Sequence, residues 1–110
     1  MNVEKEFKSN VPVLKLTGDL DYGTHTILKK AAEELFAGDW PAIVLDISAV
    51  SHIDSMGIGT LVHLWREVGQ LDKELRIAGP SPNAARMIHL VNLDNRIPVF
   101  DSVEDSLADR

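Results

Sequence analysis

The chain has 110 residues, enough for one domain around one core, and its 45% apolar and 25% charged residues are those of an ordinary globular protein. Seventeen acidic against 11 basic residues leave a formal charge of −6, which argues against nucleic-acid or anionic-membrane partners because phosphate binding rests on Lys and Arg. Cysteine is absent, which excludes disulfides, thiolate catalysis and Cys-ligated zinc; with no apolar signal core in Met1 to Glu6 and no apolar run near the roughly 18 residues of a membrane helix, the expected location is the cytoplasm.

Residues 2–8 mix apolar and charged side chains and predict an edge strand. Asn10 and Pro12 mark a tight connection, and Val11, Val13, Leu14 and Leu16 predict a second strand, paired with the first as a hairpin. Thr17 to Asp21 is a loop. Thr24 or Asp21 then caps a helix with Ile27, Ala31 and Leu35 on its apolar face and Leu28, Ala32 and Phe36 beside them. Gly38 supplies its C-terminal stop, and Pro41 follows.

Ile43 to Ile47, inside a strand spanning 42–47, is a β-branched run typical of a buried strand. After a polar link at 48–53 come Asp54, Ser55, Met56, Gly57, Ile58 and Gly59. Ile58, Leu61, Val62, Trp65 and Val68 then recur at helical spacing, predicting a helix over about 56–70 closed by Gly69 and Asp72. Residues 74–78 form a short strand. Ser81-Pro82 opens a third helix carrying Ala84, Met87, Ile88 and Val91. Asn92 to Arg96 is a loop, and Ile97 to Phe100 a short strand at a sheet edge, since Pro98 has no N–H for a ladder. Asp101 or Ser102 caps a last helix holding Val103 and Leu107. The element order is β-β-α-β-α-β-α-β-α, an α/β domain of four to five strands with about four helices.

Chemistry concentrates at residues 54–59. Ser55 falls at or near a helix N-cap, where free backbone N–H groups and the helix dipole make an anion site. Glycines at 57 and 59 leave room for another backbone or a phosphate. A serine here is a phosphate acceptor whose phosphate the helix itself would hold. The same spacing also fits an ordinary N-cap serine ahead of two helix-packing glycines. In an open α/β sheet the ends of strands 11–17 and 42–47 bring Asp19, Asp21 and Asp54–Ser55 together, because sites gather beyond the carboxyl ends of strands.

Rival readings have less behind them. A phosphoaspartate pocket needs an Asp at the end of a middle strand and a late lysine; Asp46 lies inside its apolar run, and no lysine follows Lys73. A serine hydrolase needs glycine two residues before Ser55, where Ile53 stands. His52, Asp54 and Ser55 are too close in sequence for a triad of the usual kind. His25, His52, His63 and His89 show no paired ligand spacing, so no metal site is expected, nor any cofactor or catalytic residue. Trp40 and Trp65 read as core or rim packing.

Leu16-Thr17-Gly18-Asp19-Leu20-Asp21, Ile43-Val44-Leu45-Asp46, Ile53-Asp54-Ser55-Met56-Gly57-Ile58-Gly59 and Gly79-Pro80-Ser81-Pro82 together resemble the STAS domain of bacterial anti-sigma factor antagonists, in order and over nearly the whole chain. The resemblance implies a single STAS domain over residues 1–110, built on a mixed sheet. It implies a partner switch: the unphosphorylated protein binds an anti-sigma factor that is also a serine/threonine kinase, freeing a sigma factor. Phosphorylation of Ser55 releases it, and a phosphatase restores it. The chain is then a substrate and not an enzyme, and the kinase supplies ATP and magnesium. The partner surface implied comprises Asp19, Asp21, Asp54, Met56, Gly57 and Ile58. Met56 departs from the family, which often has Ser or Thr there, and leaves Ser55 as the local acceptor. The alternative is a STAS interaction subunit of another complex, of stress-signalling or lipid-transport type, not regulated at Ser55.

Overall fold

A computed structural model describes residues 1–108. Five strands form one sheet in the order β1-β2-β3-β4-β5: Asn2–Lys8, Val11–Thr17, Ala42–Ala49, Glu74–Ala78 and Val99–Phe100. β1 pairs antiparallel with β2, and every later pair is parallel. Helices α1 (His25–Glu33), α2 (Ser55–Gln70) and α3 (Pro82–Leu90) make the three crossovers, and α4 (Val103–Leu107) ends the described chain. The mixed sheet, the four helices and their order agree with the sequence reading.

Because the strands follow one another across the sheet, successive crossovers of one hand pack their helices on the same face. Side chains alternate along a strand, so each strand divides its apolar residues between two faces. Leu14, Leu16, Ile43, Leu45, Ile47, Leu75 and Ile77 meet Leu28, Leu61, Leu64 and Ile88 of the three helices. The other face is thinner. Val11, Val13, Ala42, Val44 and Ala78 are covered there by Val103 and Leu107 of α4. Arg76 also points this way, is buried, and is partnered by the Glu74 carboxylate and the Ser106 carbonyl, which offsets the cost of desolvating its charge.

Several boundaries differ from the expected ones. α1 ends at Glu33 rather than near Phe36; the chain tightens into i→i−3 bonds, Leu35 N–H to the Ala32 carbonyl and Phe36 N–H to the Glu33 carbonyl, and Leu35 is still buried. Gly38 is not a left-handed stop. It leaves room for the Trp40 indole, whose Nε1–H donates to the Leu35 carbonyl at 2.9 Å. Asp72, at φ +59°, follows the end of α2, whereas Gly69 stays within it. β3 runs two residues beyond the expected end. β5 is only two residues long and lies at the edge, as Pro98 requires. Ser81 caps α3 and Ser102 caps α4. No helix among the described residues is long and apolar enough to cross a membrane.

The first turn of α2 is wedged against the loop after β2. An added Cβ at Gly57 would lie 2.5 Å from the Leu20 carbonyl oxygen and 2.9 Å from Ile53 Cγ2, whereas one at Gly59 would meet nothing within 4 Å. Gly57→Ala is therefore expected to lower the unfolding free energy by about 1–3 kcal/mol through overpacking. Gly59→Ala should raise it by roughly 0.5–1 kcal/mol through helix propensity. Urea unfolding followed by circular dichroism checks both, and equal effects at the two glycines would refute this assignment.

Candidate functional site

The loops leaving β2 and β3 are stitched together by their backbones. Leu20 N–H donates to the His52 carbonyl at 3.0 Å, and Asp54 N–H donates to the Leu20 carbonyl at 3.2 Å, forming an isolated parallel bridge between Leu20 and Ile53. Gly18, at φ +108°, starts this loop in a conformation that favours glycine, and its N–H still reaches the Ala49 carbonyl. Asp19, Asp21, Asp54 and Ser55 thereby come to one end of the sheet, beyond the carboxyl ends of β2 and β3.

Asp54, not Ser55, is the N-cap of α2. Its extended backbone places Oδ1 to accept from Gly57 N–H at 2.9 Å, and its Oδ2 accepts from Tyr22 N–H at 3.1 Å. One carboxylate thus caps the helix and ties it to the neighbouring loop. The Gly57 N–H bond chiefly holds its pKa below the ordinary carboxyl value. Desolvation opposes this, and the N–H groups of Tyr22 and Met56 and the nearby His25 reinforce it. Ser55 is the first residue of α2 and is exposed. Its hydroxyl takes no part in the cap, so the expected N-cap role moves one residue back. Asp54 also occupies the anion position that the first turn offers, so that turn no longer has its expected vacancy for a phosphate.

Asp19 and Asp21 have different surroundings. Asp19 is exposed, with Oδ1 3.6 Å from Nδ1 of His52. Asp21 folds back on its own loop, accepting from Gly23 N–H at 3.0 Å. The Thr24 hydroxyl accepts from Asp21 N–H and donates to the Asp19 carbonyl, bracing the loop instead of capping α1. Gly57 is buried under Leu20, and Ile58 is half-buried against the main core, so these two support the surface rather than form it. Met56 is exposed and shares a shallow cleft with His25, Lys29 and Thr60; Tyr22 and Ile27 are exposed apolar neighbours in sequence of His25. Tyr22 and His25 escape a reading of the sequence because Tyr22 acts through its backbone N–H. His25 acts through Thr60, whose hydroxyl lies 3.2 Å from its Nδ1.

This geometry does not assemble the rival sites. His52 faces Asp19 while Asp54 is engaged by backbone N–H groups, so no triad forms with Ser55. Asp46 lies inside β3, accepts from Ser48 N–H and takes the sheet face of Val44, the α4 side, away from α1, α2 and α3.

The capped carboxylate gives a pH signature. The folded pKa of Asp54 lies below its unfolded value near 3.8, so its stabilisation is complete above that value and is lost as pH falls through the lower folded one. Asp54→Ala is expected to lower the urea midpoint at neutral pH, and the gap from wild type should narrow progressively as pH falls below 3.8. A gap that stays constant through acid would refute a charged cap.

Known proteins share this fold. The profile of the STAS domain matches residues 2–106. The chain is 33% identical over 100 residues to the anti-sigma-F factor antagonist RsfB of Mycobacterium tuberculosis, covering 91% of this chain and 81% of that protein. Its fold superposes on the crystal structure of an anti-sigma factor antagonist from Mycobacterium paratuberculosis with a TM-score of 0.88 at 28% identity, covering 98% and 92% of the two chains. The Bacillus cell fate determinant SpoIIAA, solved in its phosphorylated form, shares the fold at 20% identity with a TM-score of 0.71, over 99% of this chain and 98% of its own. By its matched profile, its relatives and its fold, the chain belongs to the STAS domain family.

Proposed function

We propose that this protein is a cytoplasmic anti-sigma factor antagonist, switched by phosphorylation of Ser55. The supporting observation is an exposed serine at the first position of α2, left out of the cap by Asp54. In the unphosphorylated state, Ser55, Met56, Asp19, Asp21 and Asp54 meet an anti-sigma factor that is also a serine/threonine kinase, and a sigma factor is set free. Ser55 Oγ then attacks the γ-phosphorus of the kinase's ATP. ADP leaves, the hydroxyl proton passes to a base on the kinase, and this chain contributes no catalytic residue. A phosphatase restores the serine by directing water to the phosphoserine, with release of inorganic phosphate.

Phosphorylation adds about −1.5 to −2 charge to a chain already at −6. With Asp54 occupying the first-turn N–H groups, the phosphate projects from the helix toward the partner and lies beside a second negative charge. Like-charge and desolvation costs of several kcal/mol at such an interface remove about two to three decades of affinity. SpoIIAA, which shares the fold, is known in a phosphorylated form. Met56, where the family often has Ser or Thr, favours a second reading: a STAS interaction subunit that is not regulated at Ser55.

One experiment separates the two. Wild type, Ser55→Asp and Ser55→Ala are used as baits in lysate of the native cell, with captured proteins read by mass spectrometry and each bait checked by circular dichroism. The switch predicts three folded baits, an ATPase-fold serine kinase held by wild type and Ser55→Ala, and its loss with Ser55→Asp. A partner set without such a kinase, unchanged by Ser55→Asp, would establish the second reading instead.

A further inference from the structure

A different cluster lies farther along the seam between α1 and α2, and its reading does not depend on the partner switch. His63 and Glu67 are at i, i+4 on α2 and share a face of the helix, with Nε2 of His63 3.0 Å from Oε1 of Glu67. Glu33, the last residue of α1, faces them from the neighbouring helix. One ligand atom from each of the three lies within 4.8 Å of the others. Glu33 and His63 are exposed and Glu67 is half-buried, so the group is open to an ion from solvent.

We propose that Glu33, His63 and Glu67 form a site for Zn²⁺ or a chemically similar divalent transition metal, clipping the end of α1 to α2. One imidazole nitrogen with two carboxylate oxygens is a donor set for borderline ions, whereas an all-oxygen set would suit magnesium or calcium. Two carboxylates and a neutral imidazole carry two negative charges, matching a divalent cation. Bonds of about 2.0–2.2 Å put the ligand atoms of a tetrahedral ion roughly 3.3–3.6 Å apart. His63 and Glu67, now 3.0 Å apart, need only open by a few tenths of an ångström to reach that spacing, and a rotamer change in the exposed Glu33 side chain closes the rest. Water takes the fourth position. Lys29 opposes the ion, since it lines the adjoining cleft with His63 and stands one turn from Glu33; its flexible stem lets the ammonium withdraw into solvent. The clip would secure the segment where α1 loosens into i→i−3 turns. Through His63 it also borders the cleft that contains His25 and Met56.

Calorimetric titration of the full chain with ZnCl₂ in a non-chelating buffer tests this. One-to-one saturable binding is expected for wild type, lost in His63→Ala and weakened by about tenfold or more in Glu33→Gln. His89→Ala alters only the separate His89–Asp94 pair and should bind like wild type. Saturating Zn²⁺ should also raise the thermal midpoint of the wild type, a measurement that needs no variant to fold. The site is overturned if wild type takes up no Zn²⁺ saturably, if binding survives His63→Ala or is unaffected by Glu33→Gln, or if the wild-type midpoint does not move.

Discussion

Two backbone hydrogen bonds, Leu20 N–H to the His52 carbonyl and Asp54 N–H to the Leu20 carbonyl, hold the end of the sheet that carries the candidate site in place. They extend the parallel pairing of β2 and β3 past the point where the strands separate. The residues they join, Leu20 and Ile53, are both buried, so the bridge is sealed from competing water. Once it is set, the direction of α2 follows, because Asp54 is both the bridge's donor and the helix N-cap. Its carboxylate binds one N–H on its own helix and one on the neighbouring loop, so α2 and the β2–α1 loop cannot shift independently. Ser55 owes its exposed position to that arrangement.

The sheet is unequally protected. Three helices cover one face with a deep aliphatic core, and a five-residue helix covers part of the other. The thin face keeps a buried arginine bonded to a backbone carbonyl, and polar residues such as Lys15 and Asp46 lie along it. Exposed apolar side chains near the start of α2, Met56 among them, lie at the opposite extreme: little but apolar contact surface and a few charges. Under the proposed switch, one added phosphate on such a surface would carry its penalty in the complex and need no refolding of the domain.

Most of the architecture is legible in the sequence because its signals are local. The run 42–47 and the spacing of Leu61, Trp65 and Val68 mark a strand and a helix by period alone. Ser81-Pro82 marks a helix start through capping chemistry that acts within four residues. Gly38 looks like a helix stop, yet its small size serves the indole of Trp40 two residues on. Gly57 leaves room for another backbone or a phosphate, and it is the Leu20 backbone that takes it. A glycine's sequence context does not say which atom approaches it.

The cap on α2 makes the same point within the site. Asp54 and Ser55 are both good N-cap residues, and their order on the chain leaves the choice open. The long-range bond from Tyr22 N–H to Asp54, together with the extended backbone forced by the Leu20 bridge, assigns the cap to aspartate. Likewise, His63 and Glu67 stand one turn apart in the sequence, but only the packing of α1 on α2 adds Glu33 to them. Composition, period and turn chemistry thus determined by themselves the α/β class, the element order and the stretch that carries the serine. The tertiary structure alone decided which carboxylate is bound, which glycine is buried and which hydroxyl stays free, because each depends on contacts between residues some thirty positions apart.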